Sequence, residues 1–280
     1  MIFENRRSNV AAGHVDACDA KVVPEFCYPL PKPAVREVVM RGPLAELNVL
    51  CNRREKPNVV IVGAPGVGKS TLVAQYAFYA PEKRPIYRLD VAGLVSGTSY
   101  RGQLEERLDA VMASMEAIGG MLFVDEIHSL ADIGASRGSM SALDQLKTWI
   151  VGRSVALIGA TTNEEFACIA RDKAFMRRLS VLRLREPSKH SVRRCCSEMV
   201  ERTPALRALN LEVDKVLSWV DEKLPNGSYP DKLVDLLDYV DACFSVAPIF
   251  PSEVESKSSF AVEEIFEHYL DVYAGGMVVS

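Results

Sequence analysis

The chain predicts an α/β fold, a parallel sheet with helices on both faces followed by a small all-α domain. Three observations carry this. Short apolar runs bounded by turn residues alternate with helix-period segments across residues 41–187. The first of those runs, Asn58 to Val62, leads directly into a glycine-rich loop. After Glu186-Pro187 the strand-like runs stop and only helical periods remain.

Taken in order, residues 1–40 show neither period and carry Pro24, Pro29, Pro31 and Pro33, which predicts an extended N-terminal arm with little core of its own. A helix over 44–53 opens the α/β unit. Strands follow at 58–62, 85–89, 121–125 and 154–159, with a short one near 180–184. Helices over 69–79, 101–118 and 140–150 fall between them, so each strand returns parallel to its predecessor. Residues 188–247 form the helical domain, with helices over 188–202, 211–223 and 230–245. Pro225 and Asn226-Gly227 turn the chain between the last two. Residues 248–280 are a proline- and serine-rich linker and a last amphipathic helix at 260–273.

The loop is the most informative stretch. Gly63, Ala64, Pro65, Gly66, Val67, Gly68, Lys69 and Ser70 satisfy G-x-x-x-x-G-K-[ST] directly after an apolar strand. Glycines let successive N–H groups turn inward toward phosphate oxygens, and the following helix, which begins at Lys69 and includes Thr71, adds the positive end of its dipole. Lys69 carries an ammonium toward the β- and γ-phosphates of a nucleoside triphosphate, and the Ser70 hydroxyl suits Mg²⁺. The bland alternative is a glycine turn that happens to precede a helix.

A second element narrows the chemistry. Met121 to Val124 is another apolar run, and it ends in Asp125-Glu126 at the strand's carboxyl end, where open α/β sheets place their ligands. Asp125 suits the Mg²⁺ shell, and Glu126 suits the polarising of an attacking water, a hydrolase's need. An Asp-Glu pair also serves as a plain helix N-terminus.

Bulk properties exclude little. The 280 residues are 48% hydrophobic and carry a net charge of −4, which supports a proper core and argues against a strongly basic nucleic-acid surface. Seven scattered cysteines without metal-ligand spacing point to reduced thiols in a cytosolic setting, with Cys195 and Cys196 read as packing. No apolar run is long enough to span a bilayer, and the N-terminus has no apolar signal core, so a soluble, cytoplasmic protein is expected.

Seven strings in this order carry a family likeness: Gly63 to Ser70, Leu89 to Leu108 (LDVAGLVSGTSYRGQLEERL), Leu122 to Leu130, Ile158 to Asn163, Met176 to Leu179, Glu186 to Ser188 and Pro230 to Lys232. Over roughly 35–245 the chain resembles the first ATPase module of Clp-type AAA+ unfoldases and disaggregases (ClpA, ClpB, ClpC). The first and third strings occur across many NTPases, and the second is far more specific.

The resemblance implies roles residue by residue. Thr162 matches the sensor-1 position, which helps hold the γ-phosphate or the water; a helix N-cap is the alternative use of that threonine. Arg177 and Arg178 match paired arginine fingers acting on ATP bound to an adjacent subunit, although two neighbouring arginines alone read as a solvated surface. Tyr100 matches the pore loop that grips polypeptide, with packing on the next helix as its alternative. The loop 132–139 corresponds to a second channel loop. Ser99 stands where the family often has Lys, and Val39 to Gly42 matches the adenine-side segment only loosely. No sensor-2 arginine is evident, and Lys232 at the comparable helix start is open between nucleotide contact and a plain helix-start role.

The expectation is therefore an ATP- and Mg²⁺-dependent AAA+ ATPase. It would form a homo-oligomeric ring, a hexamer by the resemblance, that remodels or threads a protein substrate, with recruitment by an adaptor, the arm or the tail. Two other classes stay open: a DNA-associated AAA+ helper for transposition, replication or conjugation, and an ATP-dependent assembly scaffold.

Overall fold

The computed structural model describes residues 25–33, 40–79, 84–97, 101–133, 141–152, 155–245 and 260–271. Its sheet has six strands: β1 (Cys27–Pro29), β2 (Asn58–Val62), β3 (Ile86–Leu89), β4 (Met121–Val124), β5 (Ala156–Thr161) and β6 (Leu179–Arg183). They lie in the order β1-β3-β4-β5-β2-β6. All neighbours are parallel except β1, which pairs antiparallel with β3 through Cys27↔Leu89, Tyr28↔Arg88 and Pro29↔Tyr87.

The residues of β2, β4 and β5 are buried throughout, because both faces of the sheet are covered. Alternate side chains divide between two cores. Val60, Val62, Leu122, Val124 and Leu157 pack on one face with Leu108, Met112 and Leu146. Val59, Ile61, Met121, Phe123 and Ile158 pack on the other with Leu47, Leu72 and Val73. The covering helices are α1 (Arg41–Cys51), α2 (Lys69–Tyr79), α3 (Val91–Val95), α4 (Arg101–Ala117) and α5 (Ala142–Gly152), then α6 (Asn163–Ala170) and α7 (Lys173–Met176).

Beyond β6 come α8 (Lys189–Arg202), α9 (Pro204–Ala208), α10 (Val213–Lys223), α11 (Asp231–Ser245) and α12 (Phe260–Tyr269). They enclose a third core around Val192, Cys196, Val220, Leu236 and Val240. Phe266 and Tyr269 of α12 belong to that same core, so the last helix packs on the helical part instead of standing apart. Burial pushes the Cys195 thiol up to about 12 and that of Cys196 to about 11, which leaves both as inert packing groups. No helix among the described residues is long and apolar enough to cross a membrane.

The expected arm differs in one respect. Cys27 is buried in the core and β1 closes the edge of the sheet, an intramolecular use of a stretch read as extended. Three residues, the last of them Pro29, are too few to display a strand period, so the pairing was invisible to pattern. Helices α3, α6, α7 and α9 were missed for a related reason, since none exceeds eight residues.

Candidate active site

The loop Gly63 to Gly68 joins β2 to α2 at the carboxyl end of the sheet. Gly66 and Gly68 hold φ of +72° and +94°, the left-handed region that side chains resist. A Cβ on Gly66 would also lie 2.7 Å from the Cβ of Asp231, because the start of α11 rests on the loop. The Lys69 ammonium donates to the carbonyls of Gly63 and Ala64, each at 2.8 Å, so the cation sits directly on the loop. Burial pulls its pKa down against the opposing fields of Asp125, Glu165, Glu126 and Glu164. Thr71 is exposed one residue beyond Ser70.

Ser70 and Asp125 arrive from different elements and meet. The Ser70 hydroxyl donates to the Asp125 carboxylate at 2.7 Å, and Arg88 of β3 stands 3.5 Å from the same oxygen. Two hard oxygens beside a phosphate loop fit Mg²⁺, which takes few protein ligands and completes its shell with phosphate oxygens and water. Among the described residues no larger cluster of His, Cys, Asp or Glu could hold a metal.

Glu126 occupies the left-handed region, with φ 51° and ψ 49°. It stands at the start of the 3₁₀ turn Ile127–Ala131, yet its side chain makes no capping hydrogen bond. The exposed carboxylate is thus not consumed by a helix start, and the strained backbone turns the chain sharply after β4.

Beside this pair lies a polar cluster of which the sequence pointed to Thr162 but not to His128 or Glu165. Thr162 caps α6: its hydroxyl accepts from the Glu165 N–H and donates to the Glu165 carboxylate at 2.7 Å, while its own N–H donates to that carboxylate. His128 Nδ1 lies 3.1 Å from both Thr161 Oγ1 and Glu165 Oε2. Hydrogen bonds from Thr162 hold the Glu165 carboxyl below the usual range. The spacing Thr162-x-x-Glu165 is a capping box and was readable as one; His128 had no comparable signal.

Arg177 and Arg178 sit elsewhere. Both precede β6 at its amino end, with Arg177 exposed and the Arg178 carbonyl accepting from Asn58 Nδ2 at 3.5 Å. Since β2 and β6 are parallel with Asn58↔Leu179 and Val62↔Arg183, the full length of β2 separates the arginines from the loop, about 13 Å at strand rise. A clamp fixes the turn that carries them. Asp172 caps α7 by accepting from Ala174 and Phe175, and Lys147 of α5 bridges Asp172 and Asp144 at 2.7 Å each while lying over the Phe175 ring.

The clamp has a pH signature. Hydrogen bonds from Lys147 hold Asp144 and Asp172 below the usual carboxylate range. Burial alone would lower Lys147, but its hydrogen bonds to Asp144 and Asp172 raise it. Depressed acids stabilise above their unfolded pKa and lose that contribution as pH falls through the folded value. Lys147→Met is expected to cost about 1 kcal/mol or less near neutrality, after solvent screening. Melting curves of the two proteins should converge as acidification passes below the ordinary carboxylate range; a gap that stays constant with pH would contradict the clamp.

Lys232 donates to the Leu224 carbonyl at 2.9 Å and lies over the Tyr229 ring, so it serves the turn between α10 and α11. Asp231 and Pro230 are the residues beside Gly66 and Gly68. Met40 also reaches Gly68, while Val39 falls outside the described residues. Ser99 and Tyr100 do too, as does 134–139 of the second loop. The base of the Tyr100 loop is described: Arg107 of α4 donates to the carbonyls of Leu94 and Ser96 at 2.9 and 2.7 Å and stacks over Phe26.

Residues 59–184 match the family described as "ATPase family associated with various cellular activities (AAA)". The chain carries an AAA domain of the Clp type. It is 32% identical over 207 residues to the ATP-dependent Clp protease ATP-binding subunit ClpE of Bacillus subtilis, covering 70% of this chain and 30% of ClpE. It is 36% identical over 205 residues to the chaperone ClpB of Chlamydia caviae, covering 67% and 23%. The Hsp104-ADP complex of S. cerevisiae superposes with a TM-score of 0.66 at 24% identity, over 84% of this chain and 42% of that one. The Hsp104:casein complex gives 0.60 at 26%, over 71% and 36%. The chain thus spans less than a third of the curated relatives it matches here. Its sheet, helices and single AAA module are those of this family.

Proposed function

We propose that the chain is an ATP-hydrolysing subunit of a cytoplasmic ring, six copies by family resemblance, that remodels or threads a protein substrate brought to it directly or by an adaptor. One observation carries the reading. The phosphate loop and acidic pair lie at the carboxyl ends of β2 and β4, whereas Arg177 and Arg178 lie at the amino end of β6. One copy cannot reach its own loop with those arginines, and a neighbour in a head-to-tail ring can.

In this reading Lys69 leaves the loop carbonyls for the β- and γ-phosphates, and Ser70 with Asp125 holds Mg²⁺, which supplies neutralising charge on the phosphate oxygens. Glu126 orients the water and takes its proton as the water oxygen bonds to the γ-phosphorus. The bond from that phosphorus to the β–γ bridging oxygen breaks, giving ADP and phosphate. Thr162, its hydroxyl oriented by Glu165, serves as the sensor-1 side chain that helps hold the γ-phosphate or the attacking water. Arg177 or Arg178 of the adjacent copy spreads developing negative charge over a planar guanidinium. Tyr100, on a loop whose base Arg107 anchors, grips polypeptide through sequence-tolerant apolar contact.

Two measurements test this. Specific ATPase activity should rise with protein concentration until the ring is complete, and a flat dependence would contradict it. With a labelled, stably folded protein as substrate, Tyr100→Ala should abolish unfolding while ATP turnover stays within about twofold. Parallel loss of both would remove the gripping role.

A further inference from the structure

We propose that a second anion site, built to take a phosphate chain, lies at the opposite end of the sheet from the phosphate loop. The parallel strands bring their lead-in residues together there. A recess of about 290 Å³ is lined by Arg53 and Arg54 before β2, Arg84 before β3, Gly119 and Gly120 before β4, and Arg178 before β6. Among the described residues Glu55 is the one carboxylate in the lining, and none lies within ion-pair distance of any of the four arginines.

The bland explanation is that these arginines serve helix carboxyl ends, since α1, α4 and α5 all finish at this edge. The charges decide against it. Three helix ends supply roughly −0.5 each, about −1.5 together, whereas among the described lining residues four guanidinium groups less one carboxylate leave three positive charges. A surplus of more than one full charge remains in a concave site. Part of it is also held in place: Arg53 donates to Ser180 Oγ at 2.9 Å, and Ser180, itself buried, donates to the Lys56 carbonyl. Burial pushes the Cys51 thiol, also in the lining, up to about 12, and the nearby Arg84 cation opposes that rise. Planar guanidinium forks pair with phosphate oxygens two at a time, and several converging forks favour a chain of phosphates over a single monovalent anion.

Two sources share that chemistry: the tail of ATP held in the loop of a second copy, or free polyphosphate. The first rests on the proposed ring, because Arg178 belongs to both the recess and the arginine pair. The second does not.

The probe is inorganic tripolyphosphate, titrated calorimetrically into the Lys69→Ala form of the 280-residue chain so that the phosphate loop is disabled. Tripolyphosphate should bind, more weakly at high salt, and adding Arg54→Ala with Arg84→Ala should weaken it about tenfold or more. Neither of those side chains makes a hydrogen bond recorded among the described residues, so the fold should survive, checked by an unchanged melting curve. Equal affinity in the two proteins overturns the site. The sources separate in the chain with an intact loop. If the ligand is a neighbour's ATP, the paired replacement lowers ATP-driven assembly and tripolyphosphate inhibits it. If the ligand is free, assembly is unaffected by either. Failure of the unmodified chain to assemble at all would overturn the ring and leave the tripolyphosphate result standing.

Discussion

Glu126→Gln is expected to retain ATP and lose turnover by about 10²- to 10⁴-fold, the range for removing a positioned general base. The amide keeps the shape of the carboxylate but cannot accept the water's proton. Nothing structural should change with it, because Glu126 makes no capping bond and is exposed. Nucleotide retention by equilibrium binding and phosphate release under saturating MgATP measure the two halves separately. Hydrolysis at the unmodified rate would refute the role. The backbone offers a control. Since Glu126 holds a left-handed φ of 51°, Glu126→Gly should raise stability by about 1 kcal/mol while also losing turnover. Stability and catalysis would then move in opposite directions at one residue.

Replacing Arg177 and Arg178 together by alanine is expected to lower turnover by about 10³- to 10⁵-fold, the span reported by arginine fingers supplied in trans. Binding of MgATP to the loop should be preserved, since neither residue approaches it within the chain. Folding should be preserved as well. Arg177 is exposed, and the recorded contact of Arg178 to Asn58 uses its backbone carbonyl, which alanine retains. A change in stability beyond about 0.5 kcal/mol would point to a packing role instead. Single replacements tell which guanidinium acts.

Much of this was legible in the sequence because the relevant signals are local. Buried strands such as 58–62 and 121–124 are continuous apolar runs, and the phosphate loop is a contiguous string. What escaped was set by tertiary placement. β1 is three residues whose pairing with β3 depends on a partner some sixty positions away. His128 meets Thr161 and Glu165 only because the turn after β4 folds beside the end of β5. Lys147 reaches Asp172 across 25 positions of sequence, and no periodicity announces that contact. Thr162 shows a different limit: two roles were weighed as rivals, yet a residue that caps α6 is also one whose orientation is fixed at the strand tip. For Lys232 the family position left nucleotide contact and a helix-start role open, and its contacts with Leu224 and Tyr229 depend on the fold of the turn before α11.

The central claim is that each ATP pocket is completed by a neighbour. It is tested most directly by mixing two inactive proteins, Glu126→Gln and the paired Arg177→Ala, Arg178→Ala variant. A pocket with an intact Glu126 beside a Glu126→Gln neighbour has every group it needs. Random mixing in equal amounts therefore restores about a quarter of the unmodified turnover. A mixture no more active than its separate components would contradict the account.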